Sequence, residues 1–171
     1  MWGVTLLDNV LYVVCGDSSI IKTYTADALS PLAEEILVEG IICPSDIVVC
    51  RHDRQLYVAD DDSIWRVSTD DHSYVKWMKT HFSIQSLSMT SRHLLVTSRD
   101  ESCTVHQYST TNKQLLCDVP LPRYVKDVWH AVETTHDTFV VCHQGTSQDE
   151  RQREVSELLR FVTYCNISIT L

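Results

Sequence analysis

Residues Pro44 to Val67 read PSDIVVCRHDRQLYVADDDSIWRV and carry the clearest indication of the fold. This stretch holds three short segments rich in Val, Ile, Leu and Tyr, separated by clusters of charged residues. Because β-branched and aromatic side chains suit a pleated strand, and helices need longer periodic segments, these segments read as strands. The stretch predicts three consecutive short strands, and Tyr74–Met78 is expected to add a fourth.

The same pattern recurs along the chain. Four apolar runs lie 45, 38 and 44 residues apart, beginning at Leu11, Leu56, Leu94 and Thr138. Each run follows an earlier strand, and the aligned positions in those first strands are Val4, Ile47, Leu87 and Ala131. Third strands are predicted at Ser19–Thr25, Ser63–Ser68, Cys103–Ser109 and Glu154–Leu158. Fourth strands are predicted at Leu32–Val38, Tyr74–Met78 and Gln114–Val119.

Four antiparallel strands in a unit of about forty residues form the blade of a β-propeller. The sequence therefore predicts an all-β fold, with helix allowed only at Ala26–Ser30 and Gln148–Leu159. Blades are expected over residues 2–40, 44–80, 84–122 and 125–157. The tail, residues 158–171, is apolar and β-prone but leaves the blade pattern, so we expect it to supply one or two substitute strands.

Within Pro44 to Val67, the chain resembles an NHL-type repeat. The family pattern has Pro before the first strand, then apolar-apolar-Val-x-Asp and Ile-x-x-Val, matched here by Pro44, Leu56–Asp60 and Ile64–Val67. The other units match mainly in spacing. The resemblance implies a six-bladed propeller of the NHL or YWTD-like superfamily, whose members mostly bind proteins, while some bind RNA and some are enzymes. Six blades need roughly 240 residues, so an incomplete propeller of about four blades is expected.

A set of four residues directly precedes the aligned first-strand positions: Gly3, Asp46, Ser86 and His130. In propeller enzymes that the chain resembles, ligands gather at such positions around the central channel. A zinc site would need several histidines there, and a calcium-type site several carboxylate or amide oxygens. With one His and one Asp, the set predicts no catalytic residue, metal or cofactor.

Two tryptophans, Trp2 and Trp129, lie beside this set, near the expected channel mouth. Exposed aromatic residues suit peptide binding, and packing between blades is the alternative use of both rings. The candidate binding residues at the channel mouth are therefore Asp46, Ser86, Trp129, His130 and Trp2. Elsewhere, Asp60-Asp61-Asp62 lacks the alternating ligands and terminal Glu of an EF-hand, so these carboxylates are expected to stabilise a turn.

The charge, the cysteine content and the length of the apolar runs limit the kinds of partner and the compartment that we expect for this chain. The formal net charge is −9, and residues 1–75 hold thirteen acidic against four basic side chains. Since this half would repel a phosphate backbone, nucleic acid is not an expected partner. Seven cysteines without a CxxC pair favour a reduced, cytoplasmic protein. No run approaches the roughly 18 apolar residues of a membrane helix, so no membrane partner is expected.

The sequence thus predicts a non-enzymatic interaction module that binds a protein partner through its loop faces or channel mouth. The alternative is a metal-dependent hydrolase or lyase, with Asp46 and His130 as ligands of a site completed elsewhere. A third possibility is an RNA-binding NHL-type module. Because each blade packs mainly against its neighbours, four open blades would leave two apolar faces uncovered. The chain is therefore expected either to self-associate through those faces or to need a partner that completes the ring.

Overall fold

The computed structural model describes residues 2–90, 93–99, 104–121, 126–135, 138–144 and 162–164. Within these ranges the chain forms strands joined by turns and contains no helix. Residues 26–28, where the sequence allowed helix, form a turn. The other allowed helix, Gln148–Leu159, lies outside the described residues. The fold is all-β, as predicted.

Three sheets have four antiparallel strands each, paired in chain order. The first contains β1 (Trp2–Leu7), β2 (Val10–Cys15), β3 (Ile20–Thr25) and β4 (Ile36–Leu37). The second contains β5 (Pro44–Cys50), β6 (Gln55–Asp60), β7 (Ser63–Ser68) and β8 (Tyr74–Lys79). The third contains β9 (Ile84–Met89), β10 (His93–Ser98), β11 (Thr104–Ser109) and β12 (Leu115–Pro120). This is the strand arrangement of propeller blades, and these sheets are called blades 1 to 3.

Blade 4 is built differently. Its first two strands, β13 (Lys126–Thr135) and β14 (Thr138–Gln144), are antiparallel, whereas β15 (Val162–Tyr164) joins β14 in parallel. A parallel neighbour needs a connection of about a dozen residues or more, and residues 145–161 provide that length. A segment of the tail therefore supplies the third strand of this blade, and the strand expected at Glu154–Leu158 lies outside the described residues.

The register corrects one alignment made from the sequence. Ala131 pairs with Val141, as Val4 pairs with Val13 in blade 1. Phe139, two residues before Val141, therefore takes the position of Leu11, and the run aligned from Thr138 is shifted by one residue. Phe139 is the buried apolar residue that the repeat requires at this position.

The short β4 also differs from the prediction. A strand was expected over Leu32–Val38, but only Ile36–Leu37 pairs regularly with β3. Pro31 has no N–H to donate to a ladder, and the exposed Glu34 and Glu35 have no apolar face to bury. The predicted fourth strands of blades 2 and 3 correspond to β8 and β12.

Neighbouring blades pack face to face, and their first strands β1, β5, β9 and β13 lie side by side in that order as the innermost strands. Apolar clusters fill the three spaces between blades. The first includes Tyr12, Val14, Leu56 and Val58, the second Tyr57, Ile64, Leu87 and Leu94, and the third Leu95, Val128, Phe139 and Val141. The described chain is thus an incomplete, propeller-like stack of four blades.

Candidate functional site

The four residues singled out before the first-strand positions lie along these neighbouring innermost strands. They are called the inner-strand column and comprise Gly3, Asp46, Ser86 and His130. Gly3 sits directly against blade 2, because a Cβ added there would lie 2.7 Å from the backbone nitrogen of Ile47 and 2.8 Å from the Cα of Asp46. Contacts this short with backbone atoms leave no room for a side chain, so glycine allows blades 1 and 2 to approach.

Asp46 links blade 2 to blade 3. Its Oδ2 accepts a hydrogen bond from the backbone N–H of Leu87 at 2.8 Å, and its Oδ1 accepts one from its own neighbour, Ile47, at 2.8 Å. Burial raises the pKa of the Asp46 carboxyl, while these two backbone donors and the nearby His130 act in the opposite direction. Both carboxylate oxygens therefore accept from backbone donors, and the bond from Leu87 holds the innermost strands of blades 2 and 3 together.

Ser86 and His130 link blade 3 to blade 4. The buried Ser86 Oγ lies 2.9 Å from His130 Nδ1 and 2.9 Å from Thr97 Oγ1. Two residues further along β9, on the same face of the strand, the Ser88 hydroxyl donates to the carbonyl oxygen of Ala131. Polar contacts thus join the innermost strands of blades 2, 3 and 4.

A serine, a histidine and an aspartate in one column invite comparison with a nucleophilic triad. In such a triad the aspartate holds the histidine, which in turn takes the serine proton. Here the Asp46 oxygens accept from Ile47 and Leu87, and the Ser86 hydroxyl is buried beside Thr97. The geometry is that of contacts between blades. No group of three or more His, Cys, Asp or Glu residues able to hold a metal occurs in the described part of the chain.

A repeated β-bulge explains how the column is aimed. The register between β5 and β6 skips Ser45, and that between β9 and β10 skips Gln85. The register between β13 and β14 skips Trp129 in the same way. An extra residue in one strand bends it and redirects the side chain that follows. Asp46, Ser86 and His130 each directly follow such a residue, so the bulge sets their common placement.

Trp129 is itself one of the residues that the register between β13 and β14 skips, and it is 56% exposed. Its counterpart Ser45 is buried. Trp65 and Trp77 are also buried and pack within the spaces between blades. Trp2 begins β1, where its backbone pairs with Cys15, and its side chain lies outside the described part of the structure. The structure thus places an exposed indole beside His130 at the innermost strand of blade 4.

Asp60, at the end of β6, accepts from backbone N–H groups, as expected of these aspartates, whereas the carboxylates of Asp61 and Asp62 in the following turn accept from side-chain hydroxyls. The buried Asp60 accepts hydrogen bonds from the backbone N–H groups of Cys43, at 2.7 Å, and Ile42, at 3.2 Å. The Asp61 carboxylate accepts from the Ser83 hydroxyl, and the Asp62 carboxylate from the Ser63 hydroxyl. Asp60 therefore fixes the connection between blades 1 and 2.

Two polar features were missed by sequence reasoning. The buried His106 has its Nδ1 2.6 Å from the carboxylate oxygen Oδ1 of Asp118, across β11 and β12, and its ring stacks on Phe82 with centroids 4.3 Å apart. A cleft of about 370 Å³ also opens between blades 2 and 3, at the opposite end of the strands from the column. Its lining comprises Cys50, His52, Asp53, His93, Ser109, Thr110 and Thr111. The contact of His106 with Asp118 could have been predicted only from the pairing of β11 with β12. The cleft could not be predicted from the sequence of a single blade, because two blades form it.

The sequence led us to expect reduced cysteines and no membrane partner, and the structure gives two observations on these points. The described cysteines, Cys15, Cys43, Cys50, Cys117 and Cys142, are all free thiols. Burial raises the pKa of the Cys50 thiol, which therefore stays protonated at neutral pH. Among the residues that the structure describes, no helix is long and apolar enough to cross a membrane.

Comparison with known proteins bears on the fold. No protein-family model matches the sequence, and no curated protein matches it either. Matching solved structures number 637 chains. A computationally designed protein, Ika4, is similar over 85% of this chain and 86% of its own, with a TM-score of 0.64 and 12% identity. A chain in the crystal structure of the mitotic checkpoint complex is similar over 82% of this chain, with a TM-score of 0.63 and 11% identity.

The present chain spans 44% of that second protein's length. At these identities the similarity concerns the fold alone, and so many matching chains mean that the fold does not identify one activity. The NHL repeat remains a resemblance carried by Pro44–Val67, since no family model supports it. The conclusion from fold and comparisons together is an all-β, incomplete, propeller-like structure.

Proposed function

We propose that this chain is a non-enzymatic β-propeller module that binds a protein partner at the channel mouth, with the Trp129 indole as the principal apolar contact. The observation that carries the proposal is the 56% exposure of Trp129 at a bulge whose counterpart in blade 2 is buried. A large ring left in water gains hydrophobic stabilisation when a partner covers it. Trp is also among the residues that dominate protein interfaces.

The neighbouring polar groups support binding over catalysis. Asp46 and Ser86 are engaged in contacts between innermost strands, and Ser86 fixes His130, the residue that follows Trp129. A site held by such contacts loses little conformational entropy when a partner binds. In this proposal Trp129 and the half-buried His130 face the partner, and Asp46 and Ser86 position them.

The chemistry of the partner follows from shape and charge. An apolar side chain would cover the indole, and basic residues elsewhere in the segment would complement residues 1–75, which hold thirteen acidic against four basic side chains. We therefore propose a peptide segment that combines an apolar anchor with flanking Lys or Arg residues. A nucleic-acid backbone fits less well, because the same negative charge repels it.

The experiment uses peptides selected from a phage-displayed random library on the purified chain. Their affinity is measured for wild type, for Trp129→Ala and for Leu116→Ala, an exposed residue of β12. We expect Trp129→Ala to weaken binding by roughly thirtyfold, as at an interface hot spot, and Leu116→Ala to have little effect. Equal affinity for wild type and Trp129→Ala would overturn the proposal, and so would tighter binding of single-stranded RNA than of any selected peptide.

A further inference from the structure

Equivalent positions of the four blades differ sharply in exposure. Val4, Ile47, Leu87 and Ala131 occupy the same register position on the innermost strands. The last three are at most 1% exposed, because each faces the preceding blade, whereas Val4 is 62% exposed. Blade 1 thus carries the apolar residue of a packing face, but no described element covers it.

The same face of blade 1 is apolar on β1 and β2. Leu11 and Val13 are half-buried, whereas their counterparts Leu56 and Val58 in blade 2 are fully buried. Leu6, on the same face of β1, is also exposed. On β3, Lys22 takes the position of the buried Trp65, so the apolar part of the open face is centred on β1 and β2.

Blade 4 has the complementary open face. Val140 takes the register position at which Tyr57 and Leu95 pack against the following blade. Tyr57 and Leu95 are fully buried, but Val140 is half-buried, and its cross-strand partner Val132 is 38% exposed. Along the described chain, this face is the one that a following blade would cover.

The two open faces belong to the two sides of one repeated interface. Within the chain, the face that turns toward the following blade always packs on the face that turns toward the preceding blade. Blade 4 offers the first kind and blade 1 the second. A second copy of this chain offers both, so its blade 1 fits on blade 4 of the first copy, and its blade 4 fits on blade 1.

Blade number decides how many copies can close. Propellers typically have 4–8 blades. Two copies of a four-bladed chain give about eight blades and cover both open faces, whereas three copies would give about twelve, beyond that range. Head-to-tail contacts of this kind form a ring when the rotation closes.

We infer that this 171-residue chain forms a head-to-tail dimer in which the blade 1 face around Val4 packs on the partner's blade 4 face around Val132. The contact is separate from the peptide site at Trp129 and uses different side chains. Because each copy has a net charge of −9, charge repulsion opposes the dimer, and added salt should strengthen it by screening.

The first test is the mass of the purified chain in solution, by sedimentation equilibrium and light scattering. We expect a single species of twice 19.6 kDa. Val4→Asp and Val132→Asp should each raise the dimer dissociation constant at least about tenfold, since each places a charge in both apolar contacts. Leu29→Asp is the matched control, because Leu29 is equally exposed but lies in the loop before β4, and this variant should remain dimeric.

A mixing experiment separates disrupted contacts from disrupted folding. Val4→Lys and Val132→Asp should each be monomeric alone. When they are mixed, one contact pairs Lys with Asp and the other is wild type, so a species of twice 19.6 kDa should return. A wild-type monomer at high micromolar concentration, an open-ended series of larger assemblies, or a mixture that stays monomeric would each overturn the inference.

Discussion

The carboxylate of Asp46, on the innermost strand of blade 2, accepts a hydrogen bond from the backbone N–H of Leu87, on the innermost strand of blade 3, at 2.8 Å. Within a sheet, hydrogen bonds between backbone groups join neighbouring strands. Here a side-chain carboxylate joins two strands that belong to different sheets. With the contact between Ser86 and His130 it makes the inner-strand column a polar link among blades 2, 3 and 4, while blade 1 joins through the close steric approach of Gly3 to Asp46.

The first prediction concerns removal of this link. Asp46→Ala leaves the N–H groups of Ile47 and Leu87 without their acceptor, so the free energy of unfolding should fall by roughly 2 kcal/mol. Asp46→Asn keeps one acceptor oxygen for Leu87 and should cost less. Chemical denaturation at fixed protein concentration measures both. Equal stability of wild type and Asp46→Ala would show that the hydrogen bond to Leu87 does not hold blades 2 and 3 together.

The second prediction concerns pH. Burial raises the pKa of the Asp46 carboxyl above 3.8, so the folded state binds this proton more tightly than the unfolded state. Ionisation of Asp46 therefore opposes folding at neutral pH, and this penalty is relieved as pH falls through the raised pKa. As the pH is lowered from 7 toward 3.8, wild type should gain stability relative to Asp46→Asn, which does not titrate. A difference in melting temperature that is constant, or that changes in the opposite direction, contradicts the raised pKa.

The third prediction tests the contact between blades 1 and 2. Gly3→Ala places a Cβ within 2.7 Å of the Ile47 backbone nitrogen, so one strand must shift. Overpacking of this kind typically costs 1–3 kcal/mol, and we expect about 2 kcal/mol here. Thermal unfolding of wild type and Gly3→Ala measures the loss. An unchanged melting temperature would mean that β1 does not pack this closely on β5.

The fourth prediction separates neighbouring aspartates with different roles. Asp60→Ala removes the acceptor for the backbone N–H groups of Ile42 and Cys43 at a buried site, and should cost roughly 2 kcal/mol. Asp62→Ala is the matched control. Its carboxylate contacts Ser63 and Lys79 at the surface, so its loss should have a much smaller effect. Equal losses for the two variants would contradict the assignment of Asp60 as the residue that fixes the connection between blades.

Much of the fold could be predicted because strand chemistry repeats at a nearly constant spacing. The same spacing identified Asp46, Ser86 and His130 as equivalent, and the structure places them on neighbouring innermost strands. The bulge before each of them could not be predicted, because a single extra residue leaves the apolar pattern of a short strand almost unchanged. For the same reason the alignment at Thr138 was one residue out.

Other features depend on partners that are distant in sequence. Asp46 can accept a hydrogen bond from Leu87 only after blades 2 and 3 have packed together. This contact therefore cannot be predicted from the local sequence around either residue. The parallel pairing of β15 with β14 depends on the path of a long connection. For Asp60 the sequence predicted a backbone acceptor, but the donors, Ile42 and Cys43, lie 17–18 residues earlier and not in its own turn, so they too could not be identified from the local pattern.

The test of the proposed binding site requires that Trp129→Ala leave the oligomeric state unchanged. Because Val132 lies on the same strand as Trp129, the effect of Trp129→Ala on peptide affinity is informative only if that variant keeps the wild-type mass in solution. We expect it to do so, since the dimer contact is centred on Val4 and Val132. A Trp129→Ala protein that changes mass would assign the indole to the contact between copies.

Binding of a partner at the channel mouth is tested most directly by amide hydrogen exchange. Exchange is measured with and without a selected peptide, at a protein concentration where the oligomer is unchanged. If a partner binds at the channel mouth, new protection should concentrate in residues 128–132, with smaller effects at the starts of β5 and β9. Protection confined to the outer strands β8 and β12, or no change around Trp129, would contradict the account.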